Sequence, residues 1–414
     1  MLELNSTNFG IFFDFVNLFF ILILIIIIFQ KNLINKYGFI ILVLFSLTPM
    51  FGNNVFFDFG VFPDQSKYII NVSIIRENYF SIIGEFISGD LEAFHRKFEL
   101  ILGNRYKPVR SASLLIASTP IPFVETLRSV GFFSKFIFIA WFFFLITYKK
   151  KINHDQNYYY YLFLISPSIL IYSSVALKEI YIFVFFHLCM FFILQRKLIF
   201  FIISLCLLTL LRFELLILIG IFAAGYIFTF YRILGDKISR SKEYLFKFIF
   251  LIFILVVAII FTDTFSFAGK YFNSIIERIN QMKIGYHMEG NIISELRLYS
   301  HDFSIIPMAQ DVFGAILSPT FSKSDSIFLY FFIIENYLLM ILFISYLLIL
   351  SKYNLLKLIF YIIFFLILHL SVGMFVVNDM AIYRYKITML IPLILIIREE
   401  ILNYKNENII FNKS

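Results

Sequence analysis

Residues 158–194 read YYYYLFLISPSILIYSSVALKEIYIFVFFHLCMFFIL, an apolar stretch in which the only formal charges are Lys178 and Glu179 at its middle. One membrane crossing needs about 20 residues, so this stretch is too long for a single span. It predicts two helices joined by a very tight turn, with a cation and a carboxylate side by side at the bend. Charge at membrane depth is costly and marks a functional site by default.

The whole chain has the same character. It has 414 residues, of which 61% are hydrophobic and 15% charged. A soluble domain carries about 25% charged residues, so the composition defines an all-α, polytopic integral membrane protein. Apolar runs fall at roughly 10–29, 38–52, 130–148, 158–175, 179–194, 197–211, 214–231, 247–262, 326–350, 355–376 and 385–397, which the length rule turns into about 11 crossings. Residues 111–124, with Pro120 and Pro122, form a further short run that is either a twelfth span or a re-entrant or surface-lying helix.

Charge orients the spans, because Lys and Arg collect in cytoplasmic loops. The short basic connections are Lys31/Lys36, Lys149-Lys150-Lys151, Arg196-Lys197, Arg232 to Lys247, and Lys352/Lys357. All of them fall inside with 11 crossings and an outside N-terminus, whereas a crossing at 111–124 moves the triple lysine outside. The re-entrant or surface reading is therefore preferred. The N-terminal residues carry an acid and no base, unlike a cleaved signal peptide, so the first run is expected to stay as an anchor. The net charge of +8 then belongs to topology rather than to nucleic-acid binding. Cys189 and Cys206 lie inside apolar runs, which argues against a disulfide framework or a thiol metal site.

This topology leaves two long outer segments, about 53–129 and 263–325, and gathers charge on the outer face. Lys178-Glu179 and Arg212-Phe-Glu214 stand at two hairpin tips. Asn378-Asp379 and Arg384-Tyr-Lys386 lie at the end of the last hairpin. The long segments add Asp58, Asp64, Lys67, Arg105, Lys107, Arg110, Glu125, Arg128, Arg297, His301 and Asp302. Basic residues on this side call for an anionic ligand. A lipid diphosphate keeps its tail in the bilayer and its head at this depth, where Arg offers bidentate donors and Lys a point charge. Each group also has a plain structural reading: a self-neutralising helix cap for Lys178-Glu179, snorkelling to headgroups for Arg212 and Glu214, helix anchoring for Arg384 and Lys386, and a surface histidine for His301.

Other chemistries lack their signatures. The chain has no phosphate-binding Gly-rich loop with Lys-Ser/Thr and no His-Glu-x-x-His zinc motif. No acidic residue is expected at mid-membrane depth in several spans, which weighs against proton-coupled transport. No internal duplication of the kind many transporters show is visible.

Five stretches resemble a known family. They are Phe62-Pro63-Asp64-Gln65-Ser66-Lys67-Tyr68, Pro122-Phe-Val-Glu125-Thr-Leu-Arg128-Ser-Val-Gly131-Phe, the Pro167 to Glu179 segment, Leu211-Arg212-Phe-Glu214-Leu and Tyr383-Arg384-Tyr-Lys386. Together they resemble the Wzy-type O-antigen and capsule repeat-unit polymerases and, more distantly, the GT-C membrane glycosyltransferases. The resemblance implies a bacterial inner-membrane enzyme of polysaccharide or lipopolysaccharide biosynthesis. It would join undecaprenyl-diphosphate-linked oligosaccharides at the periplasmic face and release undecaprenyl diphosphate, with a chain-length regulator and a flippase as possible partners. Asp64 is the first candidate base and Glu179 the second. Arg212, Lys178, Arg128, Arg384 and Lys386 would hold the diphosphate, with Glu125 at the same site and Glu214 orienting the arginines. No metal or cofactor is expected. The rivals are a transferase using a polyprenyl-phosphate sugar donor, a lipid-linked oligosaccharide flippase and an O-antigen ligase.

Overall fold

Runs of Ile, Leu and Phe with polar breaks only at their ends form helices throughout the computed structural model. It describes residues 8–51, a few positions between 68 and 78, 110–117, 127–149, 163–175, 177–212, 215–230, 305–319, 327–375 and 379–411. The helices are α1 (Asn8–Gln30), α2 (Lys36–Phe51), α3 (Arg110–Ala117), α4 (Leu127–Lys149), α5 (Pro167–Tyr172), α6 (Glu179–Leu194), α7 (Leu198–Leu211), α8 (Leu215–Phe230), α9 (Ile305–Leu317), α10 (Ile327–Ser351), α11 (Leu355–Phe375) and α12 (Asp379–Phe411). No strand occurs among the described residues. Three helical stretches are long and apolar enough to cross a membrane: Arg128–Tyr148, Leu329–Ser351 and Leu355–Gly373. Five shorter apolar helices accompany them. Large apolar side chains stand exposed along α7 (Leu198 67%, Ile199 73%) and α10 (Leu338 61%, Ile341 61%), as expected of surfaces that meet lipid rather than water.

The expected run 247–262 lies outside the described residues. The run 111–124 is described only as α3, whose 8 residues span about 12 Å at 1.5 Å each. The run 385–397 is part of a much longer helix, α12, with 33 residues and a length of about 50 Å. The flanking charges that made it look short are held inside the helix, as shown below.

The chain divides into two compact units, Met1–Phe186 with Ser204–Phe213, and His187–Ile203 with Glu214–Ser414. In the first unit α1 ends at Asn32, whose positive φ of 52° lets Leu33 N donate to Ile28 O at 3.2 Å. Asn tolerates that left-handed closure. Asn35 then caps α2, its Oδ1 accepting from Gly38 N at 2.8 Å. α4 lies beside α1 in the same direction. Arg128 meets Asp14 near one end, and Lys31 stands 5.8 Å from the Phe143 ring near the other. Phe45 of α2 and Phe183 of α6 pack on Phe138 of α4, with centroids 5.4 and 5.7 Å away.

In the second unit α8 runs against α11, with Phe222 stacking edge-on to Phe364 at 5.0 Å and Phe230 to Phe360 at 5.7 Å. α10 and α12 run in one direction, joined by Phe332–Tyr383 (5.1 Å) at one end and Tyr353–Tyr404 (5.7 Å) at the other. The short α9 lies hard against α11. A Cβ on Gly373 would stand 2.4 Å from the Asp311 carbonyl oxygen, so only glycine permits this approach.

Candidate functional site

Lys178-Glu179 falls at a bend between α5 and α6, but α5 has only 6 residues, far fewer than the span expected over 158–175. Six residues, 173–178, rather than a tight turn separate the two helices. Ser166 caps α5 ahead of Pro167, its Oγ accepting from Ile169 N at 3.5 Å. Pro at the first helical position loses no backbone bond. α5 closes at Ser173 and Ser174, whose amides donate to Ile169 O (3.0 Å) and Ile171 O (2.8 Å). The Lys178 carbonyl then accepts from Tyr181 N and Ile182 N, both at 3.1 Å, and starts α6. Glu179 is the first residue of α6 and only 2% exposed. A carboxylate there is favoured by the positive end of the helix dipole. Lys178 beside it is partly exposed.

Two consecutive residues of α4 hold the two sides of this bend. Ser134 Oγ and Tyr181 OH share a hydrogen bond of 3.0 Å on the α6 side. Lys135 Nζ donates to Ser173 Oγ at 2.7 Å and to Leu170 O at 3.3 Å on the α5 side. Its ammonium also sits 3.4 Å from the Phe45 ring centroid. From α2, Thr48 Oγ1 and Ser174 Oγ lie 2.8 Å apart. Lys135 is 0% exposed and forms no ion pair with a carboxylate among the described residues. Sequence reasoning missed it. The available signal was its spacing of seven from Arg128, which puts both cations on one face of α4 two turns apart.

Arg128 belongs to the same unit. Its Nη1 reaches Asp14 Oδ2 at 3.4 Å, while Ser129 Oγ donates to Asp14 Oδ1 at 2.7 Å. Asp14 is 1% exposed and its partner guanidinium 13%. Arg212 ends α7, its amide donating to Leu208 O at 2.9 Å. α6 turns into α7 through Arg196, at φ 56°, where Lys197 N donates to Phe192 O at 2.9 Å. Phe192 and Phe200 flank this turn with ring centroids 5.4 Å apart.

The second unit contains Arg384 and Lys386. Arg384 is partly exposed and lies over the neighbouring Tyr385 ring at 5.1 Å. Lys386 is 0% exposed. Its Nζ donates to Ala315 O (2.9 Å), Ile316 O (3.2 Å) and Ser318 O, the carbonyls that end α9. An ammonium at a helix C-terminus satisfies orphan carbonyls and opposes the dipole. Asn336 Nδ2 reaches the same Ile316 O at 3.2 Å, and Tyr383 OH donates to Glu335 at 2.8 Å. His369 Nδ1 lies 2.8 Å from Phe365 O. A carbonyl only accepts, so Nδ1 carries the proton and Nε2 of the neutral ring is a bare acceptor. Nε2 has no partner among the described residues, nor has Asn336 Oδ1.

A further polar layer crosses the second unit seventeen residues along α12 from Tyr383, about 26 Å away at 1.5 Å per residue. Glu400, 3% exposed, accepts from Tyr226 OH and Lys357 Nζ. Lys357 is ringed by Tyr404 (4.9 Å), Phe230 (5.2 Å) and Tyr226 (5.7 Å). Asn354 Nδ2 donates to Tyr404 OH at 3.0 Å. Asp14, Glu335 and Glu400 are all buried within helices, each beside a hydroxyl donor.

Asp64, Glu125 and Glu214 lie outside the described residues, as do Asp58, Lys67, Arg105, Lys107, Arg297, His301, Asp302 and Asn378. Among the described residues no group of three His, Cys, Asp or Glu side chains is placed to hold a metal ion. Compared with family models, characterised proteins and solved structures, the chain matches none.

Proposed function

We propose that this chain is an oligosaccharide repeat-unit polymerase of a bacterial cytoplasmic membrane, with about 11 crossings, an outer N-terminus and a cytoplasmic C-terminus. It uses undecaprenyl-diphosphate-linked glycans at the outer face. In the reaction a sugar hydroxyl of one lipid-linked unit attacks the anomeric carbon of the other glycan. The new glycosidic bond forms as the bond to diphosphate breaks, and the hydroxyl proton passes to a carboxylate. Asp64 is the first choice for that base and Glu179 the second. Lys178 and Arg212 stabilise the charge that grows on the departing diphosphate, a large term in many enzymes; Arg384, in the second unit, is a substrate-binding candidate on its chemistry. Lys386 spends its donors on the carbonyls that end α9.

The observation that carries this reading is the bend itself. A buried carboxylate and a partly exposed ammonium are adjacent at a helix N-terminus, in a turn pinned on both sides by α4. Structure has been spent on fixing a charged tip in an apolar protein, as a site for an anionic lipid headgroup requires. Deleting the gene in its native host, followed by gel analysis of lipopolysaccharide or capsule, tests the reading. A core-plus-one-repeat product is expected, and an unchanged chain-length ladder overturns it.

A further inference from the structure

We infer that Ser134 and Lys135 form a clamp that positions the charged bend, with Lys135 a positioning residue for the anion-binding tip. The inference rests on the proposed function for the tip's role, but the clamp itself rests on geometry. Ser134 and Lys135 are consecutive on α4 and hold opposite sides of one turn: Tyr181, two residues after Glu179, and Ser173, five before Lys178. Thr48 adds a third tether from α2 at Ser174. Every anchor is a hydroxyl, a carbonyl or a ring, so the bend is fixed without a carboxylate neutralising Lys135 among the described residues. Methionine of similar length would fill the same space with less desolvation cost, because burying an ion is unfavourable unless its hydrogen bonds are needed. The ammonium adds a charged donor to Ser173 Oγ and to Leu170 O, which also accepts from Ser174 Oγ, so its loss weakens the closure of α5.

The test is hydrogen–deuterium exchange on the full-length protein in lipid nanodiscs, paired with binding of undecaprenyl diphosphate. Lys135→Met should raise exchange across 173–182 about tenfold, the effect of losing hydrogen bonds to a charged donor. Exchange across 327–375 should not change, and Lys135→Arg should restore protection. The milder Ser134→Ala should loosen the Tyr181 side alone, which keeps the test open if Lys135→Met does not accumulate. Unchanged exchange at the bend in both variants overturns the clamp. So does a rise of equal size throughout α1, α2 and α4, since that marks ordinary packing. In the binding arm Lys135→Met should weaken undecaprenyl diphosphate about tenfold while leaving neutral undecaprenol unaffected, and equal losses for both lipids overturn the positioning role. If the unaltered protein binds neither lipid, the polymerase reading fails while the exchange result still decides the clamp.

Discussion

Arg128 and Asp14, 114 residues apart in sequence, meet at 3.4 Å and lock α1 to α4. The pair is asymmetric. Asp14 is 1% exposed and the guanidinium 13%, so Arg128 retains some contact with solvent when its partner is removed and Asp14 does not. Arg128→Met should therefore destabilise the protein by about 3 kcal/mol, since it takes the ion pair from a buried carboxylate and leaves it the Ser129 hydroxyl, a weaker donor than a cation. Asp14→Leu should cost about 1–2 kcal/mol, and the double variant should recover part of the loss. Unfolding midpoints of the four proteins in one detergent give the cycle. Equal losses in the two single variants would contradict the asymmetry.

Lys386 and Arg384 sit two residues apart on α12 and should separate cleanly in experiment. Lys386→Met removes a donor from three carbonyls at the end of α9; Ile316 O keeps Asn336 Nδ2, and the loss at the other two is about 1–3 kcal/mol each. Limited proteolysis should then cut first near 305–319. Arg384→Ala should leave that protection intact and lose chain extension. Cleavage patterns and product ladders on the same membranes compare the two.

Gly373 offers a steric test of how α9 is seated. A methyl group there would stand 2.4 Å from the Asp311 carbonyl, far inside contact distance. Gly373→Ala should cost about 1–3 kcal/mol through overpacking. Gly314, whose Cβ would meet nothing within 4 Å, is the control. Gly314→Ala should be neutral or slightly stabilising by helix propensity.

Glu400 joins α8, α11 and α12 through Tyr226 and Lys357. Glu400→Ala should cost about 3 kcal/mol, because it breaks a largely buried ion pair and removes the acceptor for Tyr226 OH. Tyr226→Phe removes one hydrogen bond and keeps the ring stacking, so its loss should stay near 1 kcal/mol. Thermal midpoints of the two variants should rank in that order.

The sequence exposes what breaks its own pattern. Lys178-Glu179 is visible because charge appears where a span should continue, and the bend forms there. Lys135 and Glu335 are invisible to the same logic, because a single charge in a long apolar helix barely changes the average over a window. Their roles depend on partners from other segments, Ser173 for one and Tyr383 for the other. α12 was underestimated for the converse reason: Lys386 and Glu400 look like helix ends in sequence, yet both are satisfied inside the fold. Arg384 and Lys178 are candidates on their chemistry, each a partly exposed cation near the end of a helix.

The shortness of α6, α7 and α8 has a consequence for the surrounding lipid. They contain 16, 14 and 16 residues, so they reach only about 21–24 Å at 1.5 Å per residue. An ordinary hydrocarbon core is about 30 Å thick. Where these helices cross in the proposed topology, the bilayer would have to thin around them, at fractions of a kcal/mol per ångström of mismatch. Acyl chain length would then act on this protein, with shorter-chain lipids relieving the mismatch.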